Sequence, residues 1–282
     1  MGYALELKQV TKRYGDYALE NVNLALPRGC IMGLIGENGA GKSTTIRSII
    51  GAVRPDAGEI RVLGCDNRSG EFLAVKQELG VVLDEACFPD GLTPRQVCRM
   101  MRDIYENWEE EAFFGYLKRF DLPADKMFRE FSRGMKMKLS LAAALSHRAK
   151  LLILDEPTNG LDPIARDDIL DVFMEFTRSE EHSILISSHI ISDLEKICDY
   201  VAFLHKGRLL FCEEKDVLEE EYGLLTLRRE DFQALDPAAV VSSRDSGYGV
   251  EALVRRDMVP EGLRIERAGI ERIIVAMAKE AK

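Results

Sequence analysis

The strongest indication of architecture in this 282-residue chain is Gly36-Glu37-Asn38-Gly39-Ala40-Gly41-Lys42-Ser43-Thr44. It matches GxxxxGK[ST], in which two glycines, a lysine and a hydroxyl stand at fixed spacing. A short apolar run precedes it, Ile31 to Ile35, of the kind found in strands buried on both faces. A helix is predicted from Lys42 to Gly51. A buried strand, a glycine-rich turn and a helix are together the context that a phosphate-binding loop requires.

Each residue type in this loop has a physical role toward a polyphosphate. Gly39 and Gly41 let backbone N–H groups curl around phosphate oxygens, and the N-terminus of the following helix adds positive potential. Lys42 supplies a charge for the β- and γ-phosphates, and Ser43 offers a hydroxyl to Mg²⁺. The predicted nucleotide-binding residues are therefore those of the loop: Gly36, Glu37, Asn38, Gly39, Ala40, Gly41, Lys42, Ser43 and Thr44.

A second motif follows at Leu151-Leu152-Ile153-Leu154-Asp155-Glu156, where four apolar residues end in two carboxylates. In a buried parallel strand these carboxylates emerge at the C-terminal end, which is where α/β sheets bind ligands. Asp155 can hold Mg²⁺ through water, and Glu156 can orient and deprotonate an attacking water. The two motifs together predict a nucleotide-hydrolysing site.

Further segments, in the same order, resemble the ABC family of ATPases. Phe131-Ser132-Arg133-Gly134-Met135 stands where that family has its signature, usually LSGGQ, directly upstream of the second motif. Asn159-Gly160-Leu161-Asp162 resembles the family's D-loop, and Ser187-Ser188-His189 resembles its switch histidine. Tyr14 occupies the position of the aromatic residue that packs on adenine. The resemblance covers about residues 1–222.

The resemblance implies a head-to-tail dimer in which each ATP lies between one phosphate loop and the partner's signature. Ser132 would supply a hydroxyl, and Gly134 would let the backbone approach the γ-phosphate. His189 would contact the same phosphate, although a satisfied polar residue after a strand is the alternative. Tyr14 likewise has an alternative as ordinary strand packing. ATP and Mg²⁺ are the implied ligands, and the implied catalytic residues are Lys42, Glu156 and His189.

Two segments depart from the family pattern. In the signature, Phe131 stands for leucine, Arg133 for the first glycine and Met135 for glutamine. Arg133 either adds charge near the partner's phosphate or projects into solvent. At the Q-loop, where the family usually has glutamine, this chain has Asp84, a shorter anionic side chain that could still reach Mg²⁺ through water. The expected metal-binding residues are therefore Ser43, Asp84 and Asp155.

The rest of the sequence predicts how these motifs are arranged. Alternating apolar positions in residues 1–30 indicate an N-terminal antiparallel β subdomain, and later strands alternate with helices, as in a central, mostly parallel α/β sheet. Residues 86–147 indicate a helical signature subdomain. The predicted fold is an α/β P-loop NTPase cassette, residues 1–222, with a small C-terminal α+β extension as an accessory domain, residues 223–282.

Composition limits the classes of function. The formal net charge of −10 disfavours nucleic-acid binding, which needs a basic face. No segment approaches 18 consecutive apolar residues, and residues 1–10 lack the pattern of a secretory signal. The six cysteines are scattered without a CxxC pair, as in a cytosolic protein with reduced thiols. We therefore expect a cytoplasmic protein with no nucleic-acid partner.

The family resemblance implies an ATPase subunit, in a homodimer or heterodimer of such subunits, that powers a separate transmembrane permease. It would lie on the inner face of the cell membrane through that permease, and export is favoured over import. Residues 86–94 are expected to line the permease groove, with Phe88 as an apolar contact or as a core residue. Two alternatives stay open: a non-transport ABC ATPase acting on ribosomes or DNA, and a regulatory nucleotide-binding module.

Overall fold

The structure, a computed structural model, describes residues 2–15, 17–84, 88–247 and 249–280. Ala86 and Cys87 of the predicted permease groove lie outside these ranges. The sequence also predicts a final helix from Ile270 to Ala281, and Ala281 lies outside them too. The strands are β1 (Tyr3–Tyr14), β2 (Tyr17–Pro27), β3 (Ile31–Ile35), β4 (Ala57–Val62), β5 (Cys65–Asp66), β6 (Leu79–Val82), β7 (Leu151–Asp155), β8 (Ser183–Ser188), β9 (Tyr200–His205), β10 (Arg208–Glu214), β11 (Tyr222–Leu227), β12 (Val240–Ser246), β13 (Gly249–Arg255) and β14 (Glu266–Arg267).

The α-helices connect these strands and end the described chain. They are α1 (Lys42–Ile49), α2 (Phe72–Val75), α3 (Pro94–Ile104), α4 (Glu110–Arg119), α5 (Arg133–Ala144), α6 (Pro163–Phe176), α7 (Ile191–Ile197), α8 (Lys215–Glu221), α9 (Arg229–Gln233) and α10 (Ile270–Glu280). Within the described ranges, no helix combines the length and the apolar character needed to cross a bilayer.

The larger of two sheets has ten strands in the order β5-β4-β1-β2-β10-β9-β3-β8-β7-β6. The five strands from β9 to β6 are parallel to one another, and β10 joins β9 antiparallel. At the other end β1, β2, β4 and β5 pair antiparallel. This arrangement confirms the predicted central, mostly parallel sheet with an antiparallel N-terminal part.

The parallel strands bring the predicted motifs to one edge of the sheet. Every residue of β3, β7 and β8 is buried, and for β3 and β7 this agrees with their continuous apolar runs. In the sheet register Ile35 is opposite Ser188, and Asp155 is opposite Ser187. The phosphate loop, the carboxylates of Asp155 and Glu156, and His189 therefore lie next to one another at the C-terminal ends of these strands.

The helical part, residues 88–147, is stabilised by helix caps and by an aromatic core. The Thr93 side chain accepts a hydrogen bond from the Gln96 N–H, and the Gln96 side chain accepts one from the Thr93 N–H, so that α3 begins with a full capping box. Phe88 is buried, and its ring meets that of Phe128 edge-on at 5.8 Å. Of the two interpretations left open for Phe88, the structure supports the core residue.

The C-terminal residues form a four-stranded antiparallel sheet, β12-β13-β11-β14, and the helix α10. This agrees with the predicted α+β character. This part has a small buried apolar cluster of its own, but it also shares the main core, because Ile270 and Ile273 of α10 belong to the same buried cluster as Leu194 and Ile197 of α7. A domain boundary at residue 222 therefore stays a prediction.

Candidate functional site

The loops after β3, β6, β7 and β8 line one pocket of about 770 Å³. It combines the phosphate loop with carboxylates and a histidine from three other segments. Its lining residues are Tyr17, Glu37, Asn38, Gly39, Gly41, Lys42, Ser43, Thr44, Asp84, Asp155, Glu156, Asn159 and His189. Motifs that the sequence places up to 150 residues apart thus share a single site.

Two glycines give the phosphate loop its shape. Gly39 and Gly41 have φ values of 83° and 115°, in the region that residues with a Cβ rarely adopt. A Cβ on Gly41 would also lie 2.2 Å from the hydroxyl oxygen of Tyr17, whereas one on Gly39 would meet nothing within 4 Å. The loop therefore needs glycine at position 41 for two reasons and at position 39 for one.

Lys42 is a buried cation at the base of this loop. Its Nζ donates a 2.7 Å hydrogen bond to the carbonyl oxygen of Gly36 and lies 3.2 Å from Oε1 of Glu156. The two charged side chains are only 7% and 11% exposed. Since a buried ammonium needs an anion, Glu156 supplies the negative charge that a phosphate can supply when it binds.

Glu156 stands in a constrained position at the end of β7. Its φ of 53° is unusual for a residue with a side chain and costs of order 1–3 kcal/mol. Its N–H donates to Oγ of Ser187 at 3.1 Å, and its Oε2 lies 2.7 Å from Nδ1 of His189. Lys42, Glu156 and His189 therefore form a continuous chain of polar contacts across the pocket.

Asp155 is held by the same serine. Ser187 Oγ donates a 2.5 Å hydrogen bond to Oδ1 of Asp155, which is buried. Asp155 and Ser43 both line the pocket, and Mg²⁺ is typically held by one or two carboxylates together with substrate phosphates and water. In the described part of the chain no group of three His, Cys, Asp or Glu residues could hold a metal by itself. These residues therefore fit a cation that arrives with a polyphosphate.

Asp84 lines the pocket as predicted for a metal-binding residue, but its carboxylate already has a cationic partner. Oδ1 of Asp84 lies 2.6 Å from Nη2 of Arg133, the residue that replaces the first signature glycine. Neither interpretation left open for Arg133 included this contact.

The aromatic residue at the pocket is Tyr17, which the sequence analysis missed. Its hydroxyl donates to the carbonyl oxygen of Ala40 at 3.1 Å, and burial raises the pKa of its phenol. Tyr14 is absent from the described pocket lining, is 46% exposed and lies under Nζ of Lys12, 5.3 Å from its ring centroid. A second tyrosine three residues after Tyr14 was the available signal. An adenine contact by Tyr14 stays a prediction.

The signature residues lie outside their own chain's pocket. Ser132 is exposed, and its Oγ accepts a 3.2 Å hydrogen bond from the Met135 N–H as the N-cap of α5. A Cβ on Gly134 would lie 3.0 Å from Leu161 of the D-loop. Asp162 caps α6, and the N–H of Ala165 holds the pKa of its carboxyl below the usual range.

Comparison with known proteins relates the whole cassette to ATP-binding proteins of transporters. The family described as ABC transporter matches residues 19–159. The ABC transporter ATP-binding protein YtrB of Bacillus subtilis is 32% identical over 247 residues, which cover 84% of each chain. The bacitracin transport ATP-binding protein BcrA of Bacillus licheniformis is 34% identical over 213 residues, 74% of this chain and 69% of that one. A solved ATP-binding subunit of an ABC transporter superposes with a TM-score of 0.70 at 31% identity, covering 77% of this chain and 92% of that one.

Proposed function

This chain belongs to the ABC transporter family as an ATP-binding subunit, and we propose that the ATP it hydrolyses drives a separate transmembrane permease. It binds ATP, and it is an ATPase. The proposal concerns which residues perform these steps, how the site is completed and what the hydrolysis is used for.

The observation that carries the proposal is the chain of contacts from Lys42 through Glu156 to His189 beside the phosphate loop. A triphosphate in the loop places its γ-phosphate near Lys42, since the lysine is the cation of this motif. Glu156 then lies where it can accept a proton from a water that attacks this phosphate. His189 holds the carboxylate from its other side and positions it toward that water.

Ser43 and Asp155 would hold Mg²⁺, which when bound neutralises charge on the phosphate oxygens. The hydrogen bond from Ser187 fixes the Asp155 carboxylate toward the pocket. The same hydroxyl accepts from the N–H of Glu156, so that one serine orients both carboxylates. Asp84 is a weaker candidate for this metal, because Arg133 already engages its carboxylate.

We propose that the site is completed by a second ATPase subunit. Ser132 and Gly134 are absent from the described lining of their own pocket, and Ser132 is exposed. The N-terminus of α5, a twelve-residue helix, carries positive potential that suits a phosphate brought against it by a partner. Head-to-tail pairing of two copies, or of this chain with a similar one, would bring the two halves together.

The use of the hydrolysis is inferred from the relatives. One of them is named for bacitracin transport and another as a transporter's ATP-binding subunit. We therefore propose a peripheral location on the inner face of the membrane through a permease, with export as the direction. Action on ribosomes or DNA finds no support in these similarities.

Steady-state phosphate release from purified protein with Mg²⁺ and ATP tests the assignment. Glu156→Gln keeps the shape of the side chain but removes the base, so turnover falls by about 100-fold or more while ATP still binds. Lys42→Ala abolishes ATP binding. Unchanged phosphate release in Glu156→Gln would show that Glu156 is not the base.

Ser132→Ala tests completion by a partner, and Thr93→Ala is its control. Both substitutions remove the N-cap of a helix in the same part of the chain, at a cost of about 1 kcal/mol each. We expect Ser132→Ala to slow turnover while monomer ATP binding stays within about twofold, and Thr93→Ala to leave turnover near wild type. Equal effects of the two variants would mean that Ser132 acts only as a cap.

A further inference from the structure

The two positions at which this chain departs most from the family pattern contact each other. Asp84 stands just after β6, at the Q-loop position, and Arg133 is the first residue of α5. Nη2 of Arg133 lies 2.6 Å from Oδ1 of Asp84, with the side chains 57% and 44% exposed. With the residues usual in the family, glutamine and glycine, this ion pair could not form.

The stem of Arg133 also lies against the D-loop of the same chain. A Cβ on Gly160, whose φ is 76°, would be 3.4 Å from Cδ of Arg133 and 3.6 Å from its Nε. Next to it, a Cβ on Gly134 would be 3.0 Å from Cδ2 of Leu161. The Arg133 side chain therefore lies beside Gly160 of the D-loop before its guanidinium reaches Asp84.

This route joins two surfaces with different roles. Asp84 lines the chain's own nucleotide pocket. Arg133 begins the helix whose N-terminus, on the proposed function, faces the nucleotide of the partner subunit. The ion pair thus connects a chain's own nucleotide pocket with the surface that this chain presents to the partner subunit's nucleotide.

We propose that Arg133 is a positioning residue, which acts through Asp84 to orient the signature helix according to the state of the chain's own pocket. This inference rests on the proposed completion of each site by a second subunit. On this inference the Asp84 carboxylate serves as the ion-pair partner of Arg133, so that the two departures from the family pattern compensate each other. The pair then serves coupling between the two ATP sites rather than ATP binding within one.

A double-mutant cycle on phosphate release tests the pair with Asp84→Asn, Arg133→Gln and the double variant. Because solvent-exposed pairs have small coupling energies, each single change should lower kcat by about two- to fivefold. The KM for ATP should change by less than about twofold, since the phosphate loop is untouched. The Hill coefficient for ATP should be above one in the wild type and fall toward one in each variant. The double variant should be no slower than the slower single variant.

Two further variants keep the test decisive. Arg133→Lys retains the charge and should keep more than half of the wild-type kcat and Hill coefficient. The reversed pair, Asp84→Arg with Arg133→Asp, should recover activity relative to either single reversal. A matched control is the Arg95–Asp125 pair, which has a 2.7 Å contact in the helical part and is also exposed. Its reversal should leave kcat and the Hill coefficient as in the wild type.

The outcomes separate this inference from the proposed function. Multiplicative effects of the two single changes, equal effects in the control pair, or a wild-type Hill coefficient of one would overturn the positioning role. In that case loss of phosphate release in Glu156→Gln would still support Glu156 as the base of the ATPase site. If Glu156→Gln and Lys42→Ala both hydrolyse ATP normally, the proposed site itself is wrong.

Discussion

Replacing Glu156 by glutamine should make the nucleotide-free protein less stable and at the same time make it bind nucleotide more tightly. The carboxylate of Glu156 lies 3.2 Å from Nζ of Lys42, and both side chains are almost fully buried. A phosphate that enters the loop must compete with Glu156 for the ammonium. Glu156→Gln removes the charge of the competitor and retains its shape.

The size of the effect can be worked from this distance. At an effective dielectric constant of about 20, two unit charges separated by 3.2 Å attract by about 5 kcal/mol. Desolvation of both groups cancels much of this attraction, and Lys42 keeps its hydrogen bond to Gly36 in the variant. We therefore expect a loss of about 1–3 kcal/mol in the free energy of unfolding. If about 1 kcal/mol of the pair is given up when nucleotide binds, the Kd of the variant is about fivefold lower.

Urea unfolding without nucleotide and calorimetric titration with a non-hydrolysable ATP analogue measure the two effects. The control is Glu37→Gln, the same substitution at an exposed residue of the same pocket. This substitution removes a charge from the pocket but leaves the ion pair between Lys42 and Glu156 intact. The unfolding free energy of the variant should therefore stay within about 0.5 kcal/mol of wild type. Weaker analogue binding by Glu156→Gln, or an equal gain in both variants, would contradict competition for Lys42.

Three other predictions concern the effect of substitutions on the free energy of unfolding. Gly41→Ala should lower the unfolding free energy by about 1–3 kcal/mol more than Gly39→Ala, because only the first adds a steric clash to the backbone strain. Ser187→Ala should cost about 1–3 kcal/mol in urea unfolding and lower kcat, since it removes the hydroxyl that donates to the buried Asp155 carboxylate and leaves the Glu156 N–H only the Ser187 carbonyl oxygen. Burial lowers the pKa of His147, so the unfolded chain binds the proton more readily, and stability should fall as the pH drops below about 6.5. His147→Gln should flatten this dependence in urea midpoints measured between about pH 7 and pH 5.

The elements that position the site follow from short-range sequence signals. The run Ile31 to Ile35 is the same in the prediction and in the structure, because a parallel strand covered on both faces needs apolar residues throughout. The starts of α3 and α6 were equally readable, since Thr93 and Asp162 are N-caps followed by a proline at the first helical position. Parallel pairing then brings the ends of these strands together without further information.

The aromatic residue at the pocket could not be predicted in this way. Alternation assigns faces along a strand only while the register is regular. The pairing of β1 with β2 shifts three times, between Tyr3 and Leu5, between Leu7 and Val10 and between Val10 and Lys12. After such shifts the face of Tyr14 no longer follows from its spacing to the apolar residues before it. The structure places Tyr17 at the pocket, on the strand that follows the turn.

Contacts between departures from the family pattern were also out of reach. Asp84 and Arg133 are 49 positions apart and belong to different layers, so nothing in either motif shows that they meet. Each residue considered alone suggested a weakened motif. Their 2.6 Å contact shows that the charge introduced at one position is met by the opposite charge at the other. A single unusual residue in a motif is therefore poor evidence for lost function until its partner is known.

The same reasoning explains why the carboxylate that we propose as the base lies against Lys42. A buried ammonium without an anion is costly, and Lys42 is buried. The structure meets this need with Glu156. We propose that binding of a triphosphate supplies Lys42 with another anion and releases Glu156 toward the attacking water. On this proposal the substrate itself makes the base available, and the contact with His189 keeps Glu156 in place once Lys42 binds the phosphate.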